Sequence, residues 1–501
     1  MQTIRALTSA QSASGLKHAE SLNDALQVSP FSQWLVSLGL FLYLVVPGNL
    51  LVSLGIPYSL PGGSVLVKLH PGSYLILLAF VLTLLRGQPI DNLARLFRQS
   101  HWLVLYVAIV ISTLLFTIAR FGMDGLGFFF DTLLIPALLA AVLICMAPQN
   151  QRWMFYLIVM MTVINAILGI FESNQQWRLI PFLIEGTPAV EPFFRATAMA
   201  SHPLESAQRT LAVMFAACVL PWRWRVPVVL ILLLSLLAFG SRGALGTAII
   251  LLAVSLAAFG ALTLIAGKID MRWLVEVFGA LIFSSLLLSA VVGYLEMGTG
   301  LFNKLYWDAS AQSRLEAISL IGELNLNDLL LGIGSEGVVN LTEARGGWFN
   351  IENFWIVLML KVGLCLFIPL AIALLGFYAG VASRGPVFVR MAAFAFLLAA
   401  SGNNALSSKT PNLSIVVATL IGATAVHLNP SRSKATIQDG SRIPSTRLEP
   451  ICRQAKTTPL LPPPEGRVQI NRDSGRPLTS PAMALARLQG RSIVNQDDQN
   501  P

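Results

Sequence analysis

Twelve apolar runs, each close to the length that a bilayer core demands, constrain this chain more than any other feature. They cover roughly 33–55, 65–85, 102–119, 127–147, 153–172, 203–221, 225–240, 243–266, 273–295, 351–376, 387–402 and 411–428. A helix rising 1.5 Å per residue needs about 20 such residues to cross the hydrocarbon. Apolar residues make up 55% of the chain and charged ones 12%, about half the charged share of a soluble domain. Such a chain cannot cover a water-facing surface. The expected fold class is therefore all-α, a polytopic integral membrane protein of about twelve transmembrane helices. The 65–85 run is the weakest, because Lys68, His70 and Pro71 interrupt its start.

Charge sets the expected orientation. With a cytoplasmic N-terminus, the inner loops hold ten basic residues: Arg86, Arg95, Arg98, Arg152, Arg223, Arg225, Lys268, Arg272, Arg384 and Arg390. The short outer loops hold Lys68, Arg120, Arg242 and Lys409. This bias predicts both termini inside. Trp102, Trp153, Trp222, Trp224 and Trp273 flank the expected inner ends, where interfacial aromatics belong. The first 30 residues are polar, with no basic start and short apolar core, so the first span is the expected insertion signal. The chain divides into a cytoplasmic segment 1–30, a membrane domain 31–428 and a tail 429–501. The tail is rich in Pro, Ser, Arg and Gln, as disordered segments are. The net charge of +9 resides largely in this tail and the inner loops, which argues against nucleic acid as a partner. Cys145, Cys218, Cys365 and Cys452 have no metal-ligand spacing; no metal or cofactor is expected.

Two outer segments are long, 172–202 and 296–350; the larger falls between the ninth and tenth spans. Within it, Leu315, Ile318, Ile321 and Leu324 recur at helical spacing, predicting an amphipathic helix on the membrane face. "GIGSEG" (332–337) reads as a turn.

Three arginines mark the outer side, where cations in loops are scarce. Arg195 lies in "FFRATAMASHPLESAQ", Arg242 in "FGSRGAL" and Arg314 in "DASAQSRLEAISL". A guanidinium there either snorkels to lipid phosphate or binds an anionic ligand, since its planar fork suits phosphate oxygens. Beside Arg195, His202 precedes Pro203, a pairing that either caps the next helix or supplies a proton-transfer group. Glu352 precedes Asn353 at the outer end of the tenth span. It reads equally as a carboxylate favoured by the helix dipole or as a base whose pKa a lipid-facing setting raises.

Over roughly 150–428 the chain resembles the O-antigen ligase and O-antigen polymerase superfamily, in a divergent branch associated with exopolysaccharide clusters. The resemblance rests on "NAILGIFES", "FRATAMASHPLESAQ", "SRGA" between adjacent spans, "SRLEAI…LLLGIGSEG" in the large loop and "IENFWIVLMLKVGL" after it. It implies a metal-independent glycosyltransferase on the periplasmic side of the bacterial inner membrane, acting on undecaprenyl-diphosphate-linked oligosaccharide. A chain-length regulator and export proteins are the partners it suggests besides membrane lipid. Arg242 and Arg314 would hold the donor diphosphate, with Arg195 lining the cavity. Where many members begin the post-loop helix with His-Asn, this chain has Glu352-Asn353; Glu352 or His202 would then be the catalytic base. That difference favours a polymerase of exopolysaccharide or capsule over a ligase to lipid A–core. The competing functions outside this chemistry are transport of a lipid-linked oligosaccharide and a non-catalytic role in assembly.

Overall fold

His-Pro pairs start two of the helices. The His70 ring nitrogen accepts from the Gly72 amide at 3.0 Å, and that of His202 accepts from Leu204 at 3.1 Å. Each following proline takes the first helical position, where its missing N–H would be unpaired anyway. The break at the start of the 65–85 run is thus a cap, and the helix begins at Pro71.

The structure is a computed structural model. It describes residues 28–59, 64, 67–86, 89–123, 125–184, 186–188, 194–265, 317–344, 351, 353–402, 406 and 409–428, with backbone alone at 91, 97, 99, 184 and 256–265. Arg314, Glu352, the expected 273–295 span, the first half of the large loop and both terminal segments lie outside the described residues.

The chain is mostly helical. In order come α1 (Pro30–Val45), α2 (Gly48–Ser53), α3 (Pro71–Leu85), α4 (Pro89–Gln99), α5 (His101–Phe121), α6 (Leu126–Ile144) and α7 (Pro148–Gln175). Then follow a two-stranded pairing of Leu183–Ile184 with Thr187–Pro188, α8 (Pro203–Ala216), α9 (Trp222–Ala238) and α10 (Arg242–Ile265). The last six are α11 (Leu326–Leu331), α12 (Gly334–Glu343), α13 (Phe354–Val362), α14 (Leu364–Ala382), α15 (Val387–Ser401) and α16 (Asn412–His427). Four of the described helices, α5, α6, α7 and α14, are long and apolar enough to cross a bilayer. The outward faces of α5, α7 and α14 carry exposed Leu105, Ile111, Leu115, Met160, Ile164, Ile368 and Ile372, as contact with lipid tails requires.

α8 lies at the centre, packed by α7, α9, α15 and α16. Every residue from Glu205 to Ala216 is buried. Its 14 residues rise only about 21 Å, and because protein surrounds it, it can carry Glu205, Gln208 and Arg209 where a lipid-facing helix could not. α16 is equally enclosed, from Asn412 to Ala423 without a break.

Several expected elements differ. The 33–55 run breaks at Val46-Pro47 into α1 and α2. The 351–376 run breaks at Gly363, whose φ of +76 ends α13, and the long apolar helix is instead Leu364–Ala382. Residues 89–99, assigned to a loop by charge alone, form α4, with Ile90 exposed and Leu96 buried. Its Asn92 amide donates to Leu84 O at 3.0 Å and Arg86 O at 2.8 Å, tying it to the end of α3. In the large loop, Ala317 and Leu320 point inward while Ile318 is exposed, so the buried stripe is displaced from the one predicted. "GIGSEG" turns only at Gly332-Ile333, and helix α12 begins at Gly334.

The loop segment has an apolar cluster of its own, formed by Ala317, Leu320, Val338, Ile351, Val357 and Leu360. The Gly332 and Gly363 backbones meet so closely that a Cβ on Gly363 would collide with Gly332 N, and Ile333 N donates to Leu360 O at 2.8 Å. Ser335 sits over Gly125, at the junction of α5 and α6.

Candidate functional site

α7 outruns its apolar stretch and stops at Gln176, which adopts a left-handed conformation (φ 52°). The chain then folds back over the end of the bundle, and Glu172 is the group it folds onto. That carboxylate is 1% exposed. It accepts from Leu179 N at 2.9 Å through Oε1, and from Thr197 N at 3.0 Å and Ala198 N at 2.8 Å through Oε2. Hydrogen bonds to an ionised group contribute about 1.5–3 kcal/mol each, enough to hold Ala198 at φ +47°. One helical turn or two deeper, Asn165 Oδ1 accepts from Met199 N at 2.9 Å and Arg209 Nη2 at 3.0 Å. Ser206 Oγ donates to Thr197 O at 2.8 Å.

This anchoring delivers Arg195 to the α9–α10 turn. Ala196 N donates to Ala238 O at 3.1 Å. The Arg195 stem lies on Gly240, where an added Cβ would be 2.9 Å from its Cγ and 3.0 Å from its Cδ. Gly240 has φ +62°, so glycine is needed there both for the turn and for the approach. Buried Ser241 leads into α10, whose first residue is the half-buried Arg242. The Arg195 stem thus lies against the turn that places Arg242 two positions beyond Gly240, at a helix N-terminus whose dipole favours anions. Arg178 supports them: its Nη2 donates to Arg195 O at 3.0 Å, and its guanidinium stacks 4.6 Å from the Phe194 ring and 5.4 Å from that of Phe182.

His202 joins the same group. Its ring meets Phe182 edge-on at 5.3 Å. Burial, then the nearby Arg195 charge, push it down to about 3, so the imidazole is neutral. Its Nδ1 lone pair is committed to Leu204 N, which assigns the proton to Nε2. Such a ring can donate a hydrogen bond through Nε2; with Nδ1 committed it has no free lone pair to take a proton.

Behind these residues lies a polar layer joining five helices, α2, α3, α6, α8 and α16. Glu205 accepts from Ser201 N at 3.1 Å and from the Thr410 hydroxyl, and Arg209 is the cation facing it. Asn412 Nδ2 donates to Glu205 O at 3.0 Å. Ser201 Oγ accepts from Gly48 N at 2.7 Å. Asp131, in a π-helical turn of α6 (Phe129–Leu134), accepts from Ser73 Oγ at 2.6 Å and His70 N at 3.0 Å. Lys409 Nζ donates to Tyr58 O at 2.7 Å and to Lys68 O, lying 4.1 Å over the Tyr58 ring. Burial lowers Lys409 to about 8, against the Asp131 charge that raises it. One cation counted on the sparsely basic side is thus a loop tie.

Of the five residues singled out by sequence, the structure brings Arg195, Arg242 and His202 to one end of the bundle. Arg314 and Glu352 lie outside the described residues. Beside the latter, Ile351 is buried, and Asn353 caps α13 by accepting from Trp355 N at 2.9 Å and Ile356 N at 3.2 Å. Asn165, Arg209 and Arg178 were not assigned roles by sequence; Glu205 reads there as a first-turn charge suited to the helix dipole and Glu172 as a polar residue beside a span, neither as an anchor. Their signal was present as polar residues in or beside apolar runs. Comparison with known proteins finds no matching family model and no matching curated sequence.

Proposed function

We propose that this protein is a bacterial inner-membrane glycosyltransferase that polymerises undecaprenyl-diphosphate-linked repeat units into exopolysaccharide or capsule at the periplasmic face. The observation that supports this reading is the contact of the Arg195 stem with Gly240, two positions before Arg242, with His202 close enough for the Arg195 charge to act on it. Arg314 in the large loop is a further diphosphate ligand in this reading.

The reaction needs little more than charge stabilisation. An acceptor hydroxyl attacks the anomeric carbon, and the bond from that carbon to the diphosphate oxygen breaks. The electron pair leaves with the diphosphate, where fixed guanidiniums neutralise it at a low-dielectric surface. The hydroxyl proton passes to a base, with inversion at the anomeric carbon. Because the His202 Nδ1 lone pair is occupied, Glu352 is the better base, while His202 suits hydrogen-bond donation to the leaving group or a sugar oxygen. The large loop with its own apolar cluster would limit water at the site.

Replacing Arg195 or Arg242 with Ala should abolish long-chain polymer while the protein stays in the membrane at parental levels. Normal polymer from both variants would end this reading. Glycan found on lipid A–core rather than on the lipid carrier would identify a ligase instead. Unmodified donor crossing vesicles that contain the pure protein would identify a transporter.

A further inference from the structure

We infer that Glu172 is the positioning residue of this site: its carboxylate sets where Arg195 stands, by gathering backbone amides from both ends of the segment that carries it. The functional half of this inference rests on the reading of Arg195 as a diphosphate ligand; the structural half does not.

The geometry specifies a carboxylate rather than a polar group of similar shape. Both oxygens are used, one by Leu179 N and the other by the consecutive amides of Thr197 and Ala198. Successive N–H groups converging on one anion form a backbone nest, here with Ala198 at φ +47°, a conformation that alanine rarely adopts unless held. Glutamine has one acceptor oxygen, and its NH2 would face an amide N–H. Aspartate is one methylene short. Between the two anchored ends, Arg178 clamps the Arg195 carbonyl and Ala196 N reaches Ala238 O. Releasing Thr197 and Ala198 therefore removes the support directly C-terminal to Arg195, and its stem loses its seat on Gly240.

The contact itself supplies a probe that needs no substrate. The Arg195 Cβ lies 3.7 Å from where a Cβ at position 240 would stand, inside the range that disulfides require. The double variant Arg195→Cys/Gly240→Cys should cross-link readily under mild oxidation in native membranes, read by peptide mapping. Adding Glu172→Gln should slow the cross-link about tenfold or more, since charged hydrogen bonds are lost, and Glu172→Asp should slow it too. Ala198→Gly, which accepts a positive φ freely, should partly restore the rate in the Glu172→Gln background. It also serves as the test variant if Glu172→Gln alone fails to accumulate. An unchanged cross-linking rate without the Glu172 carboxylate overturns the inference.

Polymer length in cells then separates positioning from general support. If Glu172 acts through Arg195, Glu172→Gln should shorten polymer in the parent but add nothing to the partial loss of Arg195→Lys, which keeps the charge without the planar fork. Full additivity of the two losses would make Glu172 merely structural and overturn the inference. If Arg195→Ala itself leaves polymer normal while the cross-link still depends on Glu172, the diphosphate reading fails and the positional role stands.

Discussion

Gly240→Ala should disable the site without dismantling the protein. The backbone there has φ +62°, a conformation costing an L-residue roughly 1–2 kcal/mol. The new methyl would also stand 2.9 Å from Arg195 Cγ and 3.0 Å from Cδ, closer than carbon atoms tolerate. The arginine stem is flexible enough to yield, so the expected response is displacement of its guanidinium rather than collapse of the turn. Gly243, three residues on, provides the control. A Cβ there meets nothing within 4 Å and lies inside α10, where alanine is favoured over glycine by roughly 0.5–1 kcal/mol. Thermal unfolding of the purified proteins in detergent, paired with polymer length on gels, reads both effects. Gly240→Ala should lower stability by about 1–2 kcal/mol and shorten or abolish polymer. Gly243→Ala should keep polymer and match or exceed parental stability. A Gly240→Ala protein as stable and as active as the parent would refute the claim that Arg195 is seated on this turn.

Removing one member of the buried charge pair should be worse than removing both. Glu205→Gln removes the carboxylate whose charge acts on Arg209, which stays enclosed among α8 and its neighbours; membrane accumulation should fall, and Glu205→Leu/Arg209→Met should recover part of it. For His202, the folded imidazole resists protonation down to about 3 whereas the unfolded one titrates near 6.5. Its stability contribution is therefore complete above pH 6.5 and is lost as pH falls toward 3. Relative to His202→Asn, the parent should lose on the order of 1 kcal/mol per pH unit across that window, and parallel stability curves would contradict the assigned state.

The helices were legible because apolar run length survives any tertiary arrangement. The 102–119 run became His101–Phe121 and the 225–240 run became Trp222–Ala238. Breaks were less legible. Val46-Pro47 and Gly363 interrupt runs whose hydropathy is continuous, and Gly363 does so because its backbone must lie against Gly332, a long-range contact that run length does not encode. Lys68, His70 and Pro71 read as interruptions, though His70 is a cap and Lys68 lends its carbonyl to Lys409. At the site, Arg195 and Arg242 were singled out by the expected charge asymmetry alone. What placed them together was not: the Glu172 amide nest joins residues on both ends of a long connection, and only the folded chain pairs Arg195 with Gly240.

Binding of undecaprenyl diphosphate and undecaprenyl monophosphate to the purified protein in nanodiscs, followed by native mass spectrometry, tests the central claim most directly. The parent should hold the diphosphate more tightly than the monophosphate, and Arg195→Ala and Arg242→Ala should each weaken the diphosphate about tenfold or more, as loss of a charged hydrogen bond to phosphate does. Equal affinity for both lipids, unchanged in the two variants, would contradict it.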